Sequence, residues 1–170
     1  MRLRGALGGG LLVSRLGTIL TAVTGGVPSQ VSVEVRGDLA AMDTSILQLA
    51  AVRGIFGSVI TDAVTFVNAP ALAAEHGLTL TGESTEEIGD FRSSVRLRAA
   101  MADGSQRTVS GTLSGPRQVA KLIEINGRHF DLRAEGNLLV FAYGDRPGVM
   151  GTIGALLGEQ GTNIEAAQLS

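Results

Sequence analysis

The chain has 170 residues, 44% of them hydrophobic and 18% charged, with a formal net charge of −2; that is enough apolar material for one well-cored domain or two small ones, and it excludes a disordered polar chain. Cysteine is absent, which excludes disulfides, thiolate nucleophiles and cysteine-held zinc or iron–sulfur clusters, and two histidines, His76 and His129, leave little for a metal site. A slightly acidic chain with 4% aromatic residues and no Trp offers neither a basic footprint nor stacking platforms for nucleic acid.

Residues 1–10 carry two Arg and a glycine run, and an apolar stretch follows, in the manner of a secretory leader. Arg15 interrupts that stretch, and Leu12, Leu16, Ile19, Leu20 and Val23 recur at helical spacing, so the pattern predicts an amphipathic helix over 11–24. No run of about 20 uncharged apolar residues occurs, so no membrane span is expected. Gly25, Gly26 and Pro28 stop the helix. Residues 30–36 alternate as a strand with Val31, Val33 and Val35 on one face. Asp43 or Thr44 caps a second helix reaching Gly57, with Ile46, Leu47, Leu49, Ala50 and Ile55 inward. A short β-branched run follows at 64–67, then Asn68 caps a short helix with Pro70 in its first turn, ending at Gly77. Residues 83–90 are polar and acidic and read as a loop.

From Leu78 the pattern turns to strands. Segments 94–102 and 107–113 flank Asp103-Gly104, and segments 118–125 and 128–133 flank Asn126-Gly127, two hairpin signals. Residues 134–137 form a boundary. A strand over 138–143, a helix from Pro147 to about Gln160 and a strand over 163–169 are expected beyond it. The fold class is therefore α+β: an α/β domain with antiparallel hairpins, then a partial ferredoxin-like βαβ unit.

The segment Tyr143-Gly-Asp145-Arg-Pro147-Gly148-Val-Met150, with Ile153, Leu157, Asn163 and Ile164, resembles the signature of ACT domains, which sense amino acids. Asp145 suits a helix cap and Pro147 a first turn, and free N–H groups at a helix start attract a carboxylate. The resemblance implies an amino-acid effector site at Tyr143, Asp145 and Asn163. Gly151, Gly154 and Gly158 line one stripe of this helix at a cost of about 1 kcal/mol each relative to Ala, which a close backbone neighbour would offset.

Residues 28–136 resemble the intervening domain of long-type bacterial 3-phosphoglycerate dehydrogenases, on Gly54-Ile-Phe, the run from Asp62 to Pro70, Val109-Ser-Gly-Thr-Leu113 and above all Ile125-Asn-Gly-Arg-His-Phe-Asp-Leu-Arg133. That resemblance implies an allosteric domain that binds phosphorylated substrate or other anions, with Lys121, His129 and Arg133 at the contact positions. It implies contact between copies in a homo-oligomer, L-serine and phosphate-type anions as partners, and a cytoplasmic parent enzyme of L-serine biosynthesis that uses NAD. The residues themselves raise a tension. A regular two-residue hairpin pairs Glu124 with His129 and Ala120 with Arg133, leaving Lys121 on the opposite, mostly apolar face; a bulge, a sheet edge or a subunit interface would be needed to gather the three. Arg36, Arg53, Arg96 and Arg98 read as solvated or ion-paired.

No catalytic residue and no metal ligand is expected. Gly5-Ala-Leu-Gly8-Gly-Gly10 has a superficial likeness to a dinucleotide-binding loop, but no strand is predicted before it, so it is assigned to a linker and the chain is expected to hold no cofactor of its own. Residues 1–27 are expected to be a linker and helix, 28–136 the anion-binding domain, and 137–170 the first half of an ACT module, so that the chain reads as a truncated regulatory piece, inactive alone. The alternatives are the related domain pair of an L-serine dehydratase and a free-standing amino-acid-sensing or oligomerisation module.

Overall fold

A computed structural model describes every residue except Met1, Ala102 and Asp145, with side chains from Gly8 onward. Helix α1 (Arg2–Thr24) leads to strand β1 (Gln30–Gly37), a 3₁₀ turn (Asp38–Ala41), helix α2 (Thr44–Phe56) and helix α3 (Ala69–Glu75). Strands β2 (Thr79–Thr85), β3 (Ser93–Ala100), β4 (Gln106–Ser114), β5 (Val119–Ile125) and β6 (Arg128–Arg133) follow, and helix α4 (Val149–Glu159) comes last. One six-stranded sheet has the order β2-β1-β3-β4-β5-β6. β1 and β2 are parallel, and parallel neighbours need a crossover, which α2 and α3 supply. Every other pair is antiparallel.

The alternation of β1 holds: Val31, Val33 and Val35 are buried, as are Val95, Leu97 and Ala99 opposite them on β3. Helices α1 and α2 cover this face and complete the core with Leu12, Leu16, Leu20, Leu47, Ile55 and Phe56. Helix α1 starts nine residues earlier than its apolar spacing predicts and is part of the core, so the compact unit extends back through it rather than beginning at residue 28. The glycine run at 5–10 lies inside α1 and is helical rather than a loop.

The two helices cross at Gly17 and Gly54. A Cβ at Gly54 would overlap the carbonyl oxygen of Ser14, and one at Gly17 would lie 2.6 Å from the carbonyl oxygen of Ala51. Thr18 and Thr21 hydroxyls donate across the crossing to the carbonyls of Gly54 and Ile55, each at 3.1 Å. Asp43 caps α2, accepting from the Ser45 amide at 2.9 Å. Ile46, expected inward, is 48% exposed: it lies in the first turn of α2, outside the stripe that meets α1 and the sheet. Asn68 precedes α3 without capping it, because its Oδ1 accepts from the Thr65 amide at 2.7 Å instead. The acidic segment expected as a loop begins as the end of β2, since parallel pairing to β1 runs on through Glu83, Ser84 and Thr85.

The region after residue 136 departs further from expectation. Helix α4 forms, but it begins at Val149, not Pro147, because Gly148 has φ 89 and cannot be helical. No strand forms at 138–143 or 163–169 among the described residues. A strand needs backbone-to-backbone pairing with a neighbour, and neither segment has it among the described residues. Helix α4 buries no residue, and a Cβ at Gly151, Gly154 or Gly158 would meet nothing within 4 Å, so the small-residue stripe has no backbone neighbour among the described residues.

Candidate anion site on the open sheet face

The face of the sheet away from α1 and α2 is polar, and register sets its rows. Glu34, Arg96, Ser110, Glu124 and His129 form one row across β1, β3, β4, β5 and β6. Arg36, Ser94, Thr112, Lys121 and Arg133 form the next. Between these rows β4 advances two residues (Ser110 to Thr112), β5 three (Glu124 to Lys121) and β6 four (His129 to Arg133). The odd step on β5 is a β-bulge at Ile123, and it reverses the side-chain alternation of that strand. Leu122 therefore enters the core, 2% exposed, and Lys121 turns to the polar face.

This corrects the expected register. Glu124 does pair with His129, but Arg133 pairs with Lys121 and not with Ala120. Lys121, His129 and Arg133 thus share one face through a bulge within a single chain. The turn that starts this geometry is as predicted: Asn126 and Gly127 have φ of 49 and 79, and Asn126 is tied to β4 by a reciprocal pair of 2.9 Å hydrogen bonds with the Thr108 backbone.

At the centre of the first row lies Glu124, 5% exposed. Its carboxylate accepts from Ser110 Oγ at 2.5 Å, Thr108 Oγ1 at 2.6 Å and the Gly127 amide at 2.6 Å, with Arg96 Nε at 3.6 Å. Burial pushes its pKa up, but the two hydroxyls, the amide and the guanidinium together outweigh burial and hold it below the ordinary carboxylate value. The Gly127 bond fastens the hairpin turn to the sheet, directly beside His129. No sequence signal marked this residue beyond its pairing with His129.

The other basic residues are mostly engaged. Arg98 pairs with Glu34 at 2.9 Å, Arg96 Nε donates to Ser110 Oγ at 3.1 Å, and the Arg53 guanidinium lies 6.0 Å from the Phe66 ring centre. Lys121 Nζ is 2.7 Å from Asp131 Oδ1. His129 and Arg133 are exposed. A cleft of about 350 Å³ on this face is lined in part by Glu34, Arg36, Asp90, Arg96, Glu124 and His129; Lys121 and Arg133 lie outside its lining.

Of the three expected effector residues, two are described. Tyr143 and Asn163 are exposed, and Asp145 lies outside the described residues. No group of three or more His, Asp or Glu placed to hold a metal occurs among the described residues, and no described helix is long and apolar enough to cross a membrane.

Comparison with known proteins covers this unit as far as the hairpin turn in the family match. The family described as D-3-phosphoglycerate dehydrogenase intervening domain matches residues 11–126. A D-3-phosphoglycerate dehydrogenase of Mycobacterium leprae (strain TN) is 53% identical over 159 residues, 94% of this chain and 30% of the relative. That of Mycobacterium tuberculosis (strain ATCC 25618 / H37Rv) is 55% identical over the same shares, and that of Archaeoglobus fulgidus is 25% identical over 90% of this chain and 28% of its own. The chain spans about 30% of the length of these curated relatives. A six-stranded sheet under α1 and α2, with the bulged hairpin at its edge, is the structure of a chain that belongs to the D-3-phosphoglycerate dehydrogenase intervening-domain family.

Proposed function

We propose that this chain is the regulatory part of a D-3-phosphoglycerate dehydrogenase in L-serine biosynthesis, and that it binds phosphate-type anions at Lys121, His129 and Arg133. One observation supports this above the others: the bulge at Ile123 brings Lys121 to the face that carries His129 and Arg133. Arg133 supplies a planar fork suited to two phosphate oxygens, Lys121 a point charge, and His129 a further donor. The family match adds weight, because such an enzyme handles a phosphorylated acid. NAD-dependent catalysis belongs, on this reading, to other parts of the enzyme, and the chain alone is inactive. Residues 137–170 act as part of an amino-acid-sensing module, with Tyr143, Asp145 and Asn163 facing L-serine, and contacts between copies make the enzyme a homo-oligomer.

Calorimetric titration with inorganic phosphate and with a phosphorylated three-carbon acid tests the anion site. A charge-assisted hydrogen bond contributes about 1.5–3 kcal/mol, so Arg133→Ala is expected to weaken binding by about tenfold or more. Lys121→Ala is expected to do the same. Absence of heat with either ligand, or binding indifferent to both substitutions, overturns the reading. A parallel titration with L-serine addresses the sensor role separately.

A further inference from the structure

Between His129 and Arg133, on the same face of β6, stands an acid. Strand alternation places Asp131 two residues from each of them, while Phe130 packs against the core and Leu132 pairs with Leu122 on the other side. The Asp131 carboxylate reaches Lys121 Nζ at 2.7 Å, so the one carboxylate touches the lysine and lies between His129 and Arg133 along β6. Its main chain is held as well: the Asp131 amide, on the outer edge of the sheet, donates to Gln168 Oε1 at 2.7 Å. Arg128 Nη1 donates to the Ser170 carbonyl at 2.8 Å, which lays residues 168–170 along β6.

We propose that Asp131 is a built-in competitor of the anion site, and that Gln168 steadies it there. This rests on the anion-binding reading of Lys121, His129 and Arg133. An incoming phosphate must take Lys121 from Asp131 and tolerate a carboxylate between His129 and Arg133. The site is thereby weakened, so that it responds to concentrated anion rather than saturating on traces. The pair is exposed enough for exchange, with Lys121 28% and Asp131 68% accessible at their side chains, so that a competing anion can reach it from solvent. Because Gln168 and Asn163 lie on the same segment, any rearrangement of that segment shifts the carboxylate relative to Lys121.

The test is titration of the full chain with inorganic phosphate, read by calorimetry and by the His129 ring resonances, for wild type, Asp131→Asn, Gln168→Ala and the double variant. Exposed ion pairs contribute up to about 1 kcal/mol, so D131N is expected to bind phosphate about two- to fivefold more tightly, the gain shrinking as salt is raised. Q168A is expected to move affinity the same way by less, and to add nothing in the D131N background. In a Lys121→Gln background D131N is expected to gain less than it does alone. Unchanged or weaker phosphate binding by D131N, with wild type still binding, overturns the competitor role, and weaker binding shows Asp131 orienting Lys121 instead. No phosphate binding by either protein overturns the anion-site reading, and this inference falls with it.

Discussion

Glu124 is a carboxylate removed from water yet kept charged, and the reason is a full set of donors. Two hydroxyls, one amide and a nearby guanidinium meet it at the point where β4, β5 and the hairpin turn converge. Because its folded-state pKa is lowered, it stabilises the fold above its unfolded-state value of about 4.3, and that contribution is lost as pH falls below this value through the folded-state pKa. Asp43 and Asp103, lowered by bonds from Ser45 and Ser105, act in the same acid window. Glu124→Gln is therefore expected to flatten the loss of stability between about pH 5 and pH 3 without abolishing it, in urea unfolding across that range. Glu124→Ala, which leaves Ser110, Thr108 and Gly127 without an acceptor, is expected to cost about 2 kcal/mol or more at pH 7. A wild-type slope retained by E124Q would show that Glu124 is not the main source of the acid sensitivity. None of this was legible in the sequence beyond a Glu opposite a His, because the two hydroxyl donors come from β4, fourteen and sixteen residues away. The bulge at Ile123 was equally hidden. It depends on Leu122 outcompeting Lys121 for the core, a choice that period-two alternation from a two-residue turn does not contain.

Most elements whose partners are local are legible in the sequence, the Asn68 cap excepted. Asp43 with Ser45, Asn126 with Gly127, and the alternating valines of β1 each state their own geometry, and the structure follows them. Elements that depend on distant partners are not. The β2 end is a strand because β1 lies beside it, and residues 138–143 are not one because no strand among the described residues pairs with them. Gly54 shows the same dependence, since its need for a missing Cβ comes from Ser14 forty residues earlier. Gly54→Ala is expected to destabilise the chain by about 2–3 kcal/mol, as overpacking at a helix crossing does. Gly151→Ala in α4, with open space around it, is expected to be neutral or to stabilise that helix by up to about 1 kcal/mol. Thermal and urea unfolding of the two variants side by side checks the contrast; equal effects would mean that the α1–α2 crossing is looser than described.

At the scale of the whole molecule the two regions differ in what holds them. Strands β3, β4 and β5 are flanked on both sides in the sheet and covered by α1 and α2, so their amides open only when most of the core opens. Helix α4 has 11 residues and buries none of them, while Leu156, Ile164 and Leu169 remain exposed. A helix of that length without tertiary contacts is marginal in water, and three internal glycines weaken it further. Hydrogen exchange followed by mass spectrometry should therefore separate the two: peptides from β3 to β5 retain label for orders of magnitude longer than those from α4. The Asp131 amide offers an internal gauge, since it lies on the edge strand and is covered by Gln168 alone. It should exchange with the slow sheet if residues 163–170 stay docked and with α4 if they do not. Uniform protection from β3 through α4 would overturn this division, and would mean that α4 packs on a surface of the first region.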